Sequence, residues 1–151
     1  MEIGSLKSPV SKKIMASFQA HVLIDGSASG PALVLPEALS LWGGLDPATG
    51  NIIDQRHPNS GDNVTGKVLV LPIGRGSSSA SSILLEAVRQ RTAPAAIILA
   101  ETDAILALGA AVAREMYDQA PPVVVVEPAV YQQLRTGQTI TIDVNGVISL
   151  Q

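Results

Sequence analysis

The sequence predicts an α/β domain in which a mixed sheet is flanked by helices, and three observations predict it. The runs Val68-Leu69-Val70-Leu71, Ala96-Ile97-Ile98-Leu99 and Val123-Val124-Val125-Val126 carry no polar face, the pattern of parallel strands covered on both sides. Helical stretches lie between them and supply the crossovers that parallel strands need, with right-handed geometry expected. Residues 19–66 differ, with short alternating runs separated by Gly, Pro and Asp, which reads as irregular β structure.

Each element has its own local reason. Residues 1–17 read as a flexible tail, with Lys7, Lys12 and Lys13 among small polar residues and no continuous apolar stretch of the kind a signal peptide needs. Residues 18–151 then form a single domain. Gln19–Ile24 alternates and stops at the turn Asp25-Gly26, Ser29-Gly30-Pro31 reads as another turn, and Ala32–Leu35 as the strand after it. Gly43, Gly44, Pro47 and Gly50 punctuate the next stretch. After the Val68–Leu71 strand, a helix is expected from about Ser78 to Arg91. A second is expected from about Asp103 to Tyr117, with Thr102 or Asp103 as its cap. Ile105, Leu106, Leu108, Ala110, Ala111 and Val112 make it apolar on most faces, so substantial burial is expected. Ala129–Leu134 reads as a short helix, and Thr139–Val144 with Val147–Leu150 as a hairpin across Asn145-Gly146. No heptad run or repeat of 20–50 residues is present, which argues against coiled coils and solenoids.

Composition excludes several functions. A chain of 151 residues buries about 68–70% of the surface its unfolded form exposes, enough for a core without staples. With no cysteine it cannot itself ligate an iron–sulfur cluster, form a thiolate zinc site or perform thiol chemistry. A net charge of −3 and 3% aromatic residues argue against nucleic-acid binding, which needs clustered cations and stacking platforms. The longest apolar runs fall far short of the roughly 20 residues that cross a bilayer. The expectation is a soluble, cytoplasmic protein with no membrane partner.

The chemistry points to Gly74-Arg75-Gly76-Ser77-Ser78-Ser79, where an apolar strand ends and a helix begins. Gly76 permits an unusual turn, and the first helical amides face outward without intrahelical partners. Such a place suits a carboxylate or phosphate, with Arg75 as a bidentate clamp. The same field favours a serine alkoxide, so Ser77 is a candidate base; the structural alternative is that Ser77 or Ser78 caps the helix. The segment lacks the third glycine of a dinucleotide fingerprint and the Gly-Lys-Ser/Thr ending of a P-loop. It also lacks the flanking glycines of a nucleophile elbow. A spatially assembled triad of Ser77, His57 and Asp46 or Asp54 stays open.

A second dense segment runs Leu41-Trp42-Gly43-Gly44-Leu45-Asp46-Pro47 and continues through Gly50, Asp54 and His57-Pro58. The paired glycines suggest close approach of backbone to another group, and Asp46 can brace an Asp-Pro turn. The only histidines, His21 and His57, are 36 positions apart, which makes a histidine metal site improbable. His57 is either a hydrogen-bonding turn residue or a group that orients a substrate.

In order and spacing, several segments resemble the small, swivelling component of aconitase X enzymes. They are Gly30-Pro31-Ala32-Leu33-Val34, Leu39 to Gly50, Ile53-Asp54, His57-Pro58, Gly66 to Val70, Gly74 to Ser79 and Ala93 to Ile97. The resemblance extends from about residue 19 to 148, leaving the tail outside it. Leu41 and Leu45 stand where relatives often carry other apolar residues.

The resemblance implies an aconitase-type swivelling β/β/α domain, a mixed sheet or barrel with flanking helices. It also implies a hydro-lyase in which this chain is the small subunit and a large subunit carries the iron–sulfur cluster as Lewis acid; no cofactor is expected on this chain. By analogy Ser77 is the base, while Arg75, Gly76, Ser78 and Ser79 steady negative charge on the substrate. Gly43, Gly44, Asp46 and His57 complete the substrate-binding candidates. The serine run from Ser77 to Ser82 looks more like the branch acting on cis-3-hydroxy-L-proline, giving a pyrroline-2-carboxylate, than the branch acting on mevalonate 5-phosphate. A non-catalytic ligand-binding or assembly domain of the same fold is the competing class. Trp42–Asp46 and Arg75–Ser79 are expected on one side, with Trp42 partly exposed without the partner and self-association plausible for the isolated chain.

Overall fold

Alternation along the three apolar runs decides the architecture. In a computed structural model that describes residues 16–75 and 78–151, the runs become β6 (Val68–Leu71), β7 (Ala96–Leu99) and β8 (Val123–Val125). They pair in parallel, with β3 (Ala28–Val34) parallel to β6 on the other flank. Successive side chains leave opposite faces of a strand. Leu33, Leu69, Leu71, Ile97 and Leu99 therefore enter one apolar cluster, and Ala32, Val68, Val70, Ala96 and Ile98 another. The first cluster lies under the helices α2 (Ala80–Arg89) and α3 (Ala104–Tyr117) through Leu84, Leu106 and Ala110. The second is closed by β9 (Thr139–Ile142) and β10 (Val147–Leu150), through Ile140, Ile142, Ile148 and Leu150.

The eight-stranded sheet has the order β1-β10-β9-β3-β6-β7-β8-β2, where β1 is Ala16–Gln19 and β2 is His21–Ile24. The alternating run expected as a single strand is broken at Ala20, whose N–H donates to the Gly146 carbonyl at 2.9 Å. Gln19 belongs to β1 at one margin of the sheet, and His21–Ile24 form β2 at the other. Because one buried residue joins those margins, the mixed sheet curls into a nearly closed form. Ala16 and Ser17, expected in the tail, instead pair with β10; residues 1–15 lie outside the described residues.

The Ser29-Gly30-Pro31 segment is strand, not turn. β3 changes partner there: Ala28–Pro31 pair antiparallel with β9, and Ala32–Val34 parallel with β6. Pro31 sits at the exchange, where a missing N–H disrupts least. Gly30 is required by contact, since a Cβ would come 2.7 Å from the Gly66 carbonyl oxygen.

α2 is two residues shorter than expected at each end, and α3 begins one residue later and ends as expected. The short helix expected over Ala129–Leu134 ends three residues early. α3 is also less covered than its composition suggests. Leu106, Gly109, Ala110 and Ala113 are buried, whereas Leu108 and Met116 are 55% and 59% exposed. Only the face toward α2 and the sheet has a covering layer. Arg114 pairs with Asp25 at 2.7 Å and holds that carboxyl below its usual range, tying α3 to the turn after β2. α4 is the single turn Pro128–Tyr131. The final hairpin uses a longer loop than Asn145-Gly146 alone, with Asp143 accepting the N–H groups of Asn145 and Val147, and Gly146 at φ +84°.

Candidate active site

The carboxyl end of β6 is the place to look, because open parallel sheets bind ligands outside the carboxyl ends of their strands. A cavity of about 270 Å³ lies there, lined by Leu39, Leu41, Gly74, Arg75, Asp103 and the first turn of α3. A larger hollow of about 540 Å³ opens at the other end of the same strands, with Arg91 as its sole charged lining residue. We place the site at the smaller cavity, where the sequence concentrates its polar chemistry.

Two backbone ties fix the Gly74-Arg75 segment. Leu39 bridges Gly74 as a parallel pair, with the Arg75 N–H donating to the Leu39 carbonyl at 3.2 Å. On the opposite side the Gly74 N–H donates to Asp103 Oδ2 at 2.9 Å. The alternating directions are those of an extended chain. Asp103 is expected from the sequence only as the cap of α3, and its Oδ1 does accept from Ile105 N–H at 3.0 Å and Leu106 N–H at 3.1 Å. Its contact with Gly74, 29 residues away, has no counterpart among the sequence expectations. One hint exists, since Asp offers two acceptor oxygens at a cap where Ser offers one.

Arg75 is exposed. The ion pairs among the described residues are Arg89–Glu86 and Arg114–Asp25, so within that set its guanidinium is not paired. Gly76 and Ser77 lie outside the described residues. Beyond them the backbone turns into α2: the Ser78 carbonyl accepts from Ser81 N–H and hydroxyl, and the Ser79 carbonyl from Ser82 N–H and hydroxyl. Ser79, not Ser78, occupies the N-cap position, and its side chain makes no capping hydrogen bond. The carbonyls thus face into the helix, which leaves the amide end of the helix directed outward.

The glycine pair does not line the cavity; it follows closely after Leu41, which with Leu39 does. Leu41–Gly44 (α1) is nominally helical, but Trp42 (φ −69°, ψ 111°) and Gly43 (φ 82°, ψ −12°) have type II turn angles. A positive φ at the third position of such a turn selects glycine. Gly44 is buried, with Leu39 Cδ1 3.0 Å from where a Cβ would stand. Trp42, at the tip, is 57% exposed. The Leu39–Leu41 segment and Arg75 line the same cavity, so the two dense regions of the sequence do meet.

Asp46 and His57 are engaged elsewhere. Asp46 Oδ1 accepts from Ala48 N–H at 2.9 Å and Oδ2 from the Thr49 hydroxyl at 3.2 Å. His57 is 4% exposed, with Nδ1 accepting from Asn59 N–H at 3.0 Å and Nε2 3.2 Å from the Glu37 carbonyl oxygen. A carbonyl only accepts, so Nε2 carries the proton. Both residues are sequence candidates for substrate contact, and the role the structure shows for them is bracing. Asp54 likewise accepts from Arg56 N–H through Oδ1. With both His57 nitrogens occupied, the Ser77–His57–Asp triad has no base to offer. Among the described residues, no group of three or more His, Cys, Asp or Glu could hold a metal ion, and no helix is long and apolar enough to cross a membrane.

Comparison with known proteins identifies the domain. Residues 17–150 match the aconitase X swivel domain. The chain belongs to that family. Over 103 residues, 68% of the chain, this swivel domain is 50% identical to a cis-3-hydroxy-L-proline dehydratase from Pseudomonas aeruginosa, of which the match covers 18%. It therefore spans less than a fifth of the length of that curated relative. Over 93 residues it is 46% identical to a phosphomevalonate dehydratase small subunit from Methanothermobacter thermautotrophicus, covering 62% of this chain and 71% of that one. Its fold superposes on an aconitase X crystal structure from Thermococcus kodakaraensis with a TM-score of 0.81 and 29% identity, covering 90% of this chain and 98% of the other. The resemblance read from the sequence is thereby upheld in family and in fold.

Proposed function

We propose that this swivel domain is the small subunit of a two-chain aconitase X-type hydro-lyase, completing a site whose remainder lies on a large subunit. The observation that carries the reading is the Arg75 guanidinium at the rim of the β6 cavity, two residues before Ser77 and outside the ion pairs of the described residues. A cation in that place suits a substrate carboxylate, held in a bidentate pair. Ser77 then takes the proton next to that carboxylate, and Gly76, Ser78 and Ser79 supply backbone that approaches and steadies the developing negative charge. Gly43 and Gly44 shape the turn beside Leu41, while Asp46 and His57 hold the loop that follows.

The iron–sulfur cluster belongs, in this reading, to the large subunit. This chain has no cysteine, so its residues do not fit a cluster. The preferred substrate is cis-3-hydroxy-L-proline, dehydrated to a pyrroline-2-carboxylate. Supporting this are the serine-rich run after Arg75 and the 50% identity to a protein of that name. The 46% identity to a phosphomevalonate dehydratase small subunit favours mevalonate 5-phosphate as the second reading.

The test is reconstitution with the cognate large subunit and assay on both compounds. Ser77→Ala is expected to lower turnover by about 10²–10⁴, the usual range for a positioned base, with no change in melting temperature or subunit affinity. A fully active Ser77→Ala complex overturns the base assignment and leaves a binding or assembly role.

A further inference from the structure

We propose that Asp103 is a positioning residue for the site, holding the Gly74-Arg75 backbone through the oxygen that its helix cap does not use. The inference rests on the dehydratase reading above and deepens it. Asp103 is 9% exposed and makes three hydrogen bonds to backbone: Oδ1 to Ile105 and Leu106 in α3, and Oδ2 to Gly74 at the end of β6. A buried carboxylate is costly unless donors surround it. Here three amides and the positive end of a 14-residue helix do so. The carboxylate is therefore already engaged and is not the base.

The contact is too close to be incidental. A Cβ on Gly74 would stand 2.4 Å from Asp103 Oδ2, so the position accepts only a residue that lets the carboxylate reach the backbone. Ser, Thr and Asn cap helices as well as Asp. Of these residues, only Asp adds a second acceptor at the same place, since Asn presents a donor there and Ser or Thr nothing. The demand for that second acceptor comes from Gly74, and Gly74 is the residue before Arg75. With Leu39 tying the Arg75 amide from the other side, loss of the Asp103 bond leaves the segment fixed on one side only. A misplacement of about 1 Å at such a group can lower turnover about 10²-fold.

Asp103→Asn preserves an oxygen for Ile105 and Leu106 and turns an amide N–H₂ against the Gly74 N–H. In the complex with the large subunit we expect kcat to fall at least tenfold, with a lowered melting temperature but a folded chain at assay temperature and subunit affinity near wild type. Gly74→Ala should act through the same contact, so the two substitutions combined should lower kcat little more than either alone. In the wild-type chain, a through-hydrogen-bond scalar coupling from the Gly74 amide nitrogen to the Asp103 side-chain carboxyl carbon is expected, with Gly74 amide exchange at least tenfold slower than in Asp103→Asn. Turnover within twofold of wild type in a folded Asp103→Asn complex, or additive effects in the double variant, overturns the positioning role. Absence of the coupling overturns the clamp itself, and that measurement does not depend on any variant folding. An inert wild-type complex instead defeats the dehydratase reading, with the coupling still deciding whether the clamp exists.

Discussion

The two segments that meet at the candidate site, through Leu41 and Arg75, are built on opposite principles. The segment from Leu41 to Thr65 is braced largely from within: Asp46 caps its own turn, Asp54 and His57 Nδ1 bond backbone within a few residues, and the Asn63 side chain reaches Thr49 and Asn51, with outside ties from His57 Nε2 to Glu37 and from Thr92 to Pro47. The segment at Gly74 and Arg75 has no such internal support among the described residues. It is tied from outside, by Leu39 on one side and Asp103 on the other. A self-braced loop presents shape, and its polar side chains are unavailable for chemistry. An externally braced one can point a cation outward, because its own side chain is not needed to hold it.

The comparison breaks most readily at His57. If the Leu41–Thr65 segment is structural, His57→Ala should destabilise the chain strongly, because it leaves a cavity and strands the Glu37 carbonyl and the Asn59 N–H. We expect about 2–4 kcal/mol by urea denaturation, with turnover per folded complex retained. A stable His57→Ala with lost turnover reverses the assignment and returns the ring to the substrate. Asp46→Ala is the milder version, since its partners stand near solvent. The expected loss is about 1 kcal/mol, again with turnover preserved at saturating substrate. A rise in KM with no change in stability contradicts the bracing role.

Much of this is legible in the sequence, and the failures have physical causes. The apolar runs of β6, β7 and β8 are readable because burial on both faces leaves no polar residue to confuse the pattern. Asp103 as a cap is readable because capping is local. The break at Ala20 is not, because Phe18, Ala20, Val22 and Ile24 keep alternating through it and the cause is a carbonyl at Gly146. Gly30-Pro31 carries turn chemistry yet lies in a strand, where pairing with β9 outweighs local preference. The apolar composition of α3 reveals its hydrophobicity but not which face the fold covers. The site obeys the same rule: glycines, Arg75 and the serines are visible as a motif, whereas the bond from Asp103 to Gly74 spans 29 positions and no local pattern encodes it.

The smallest stability effect belongs to Arg75, and it tests the contrast from the other side. Its side chain is exposed and makes no ion pair within the described residues, and surface substitutions of that kind usually change stability by less than about 0.5 kcal/mol. Arg75→Ala should therefore melt with the wild type while its complex loses affinity for a carboxylate substrate. Arg75→Lys separates charge from geometry. Lysine restores the charge but not the planar fork that matches a carboxylate in two hydrogen bonds. Recovery of KM without recovery of kcat in Arg75→Lys would mean that the cation attracts substrate and the fork aligns it. Equal recovery of both reduces Arg75 to a point charge. Full activity in Arg75→Ala removes it from the site, and with it the distinction between a segment that gives shape and a segment that acts.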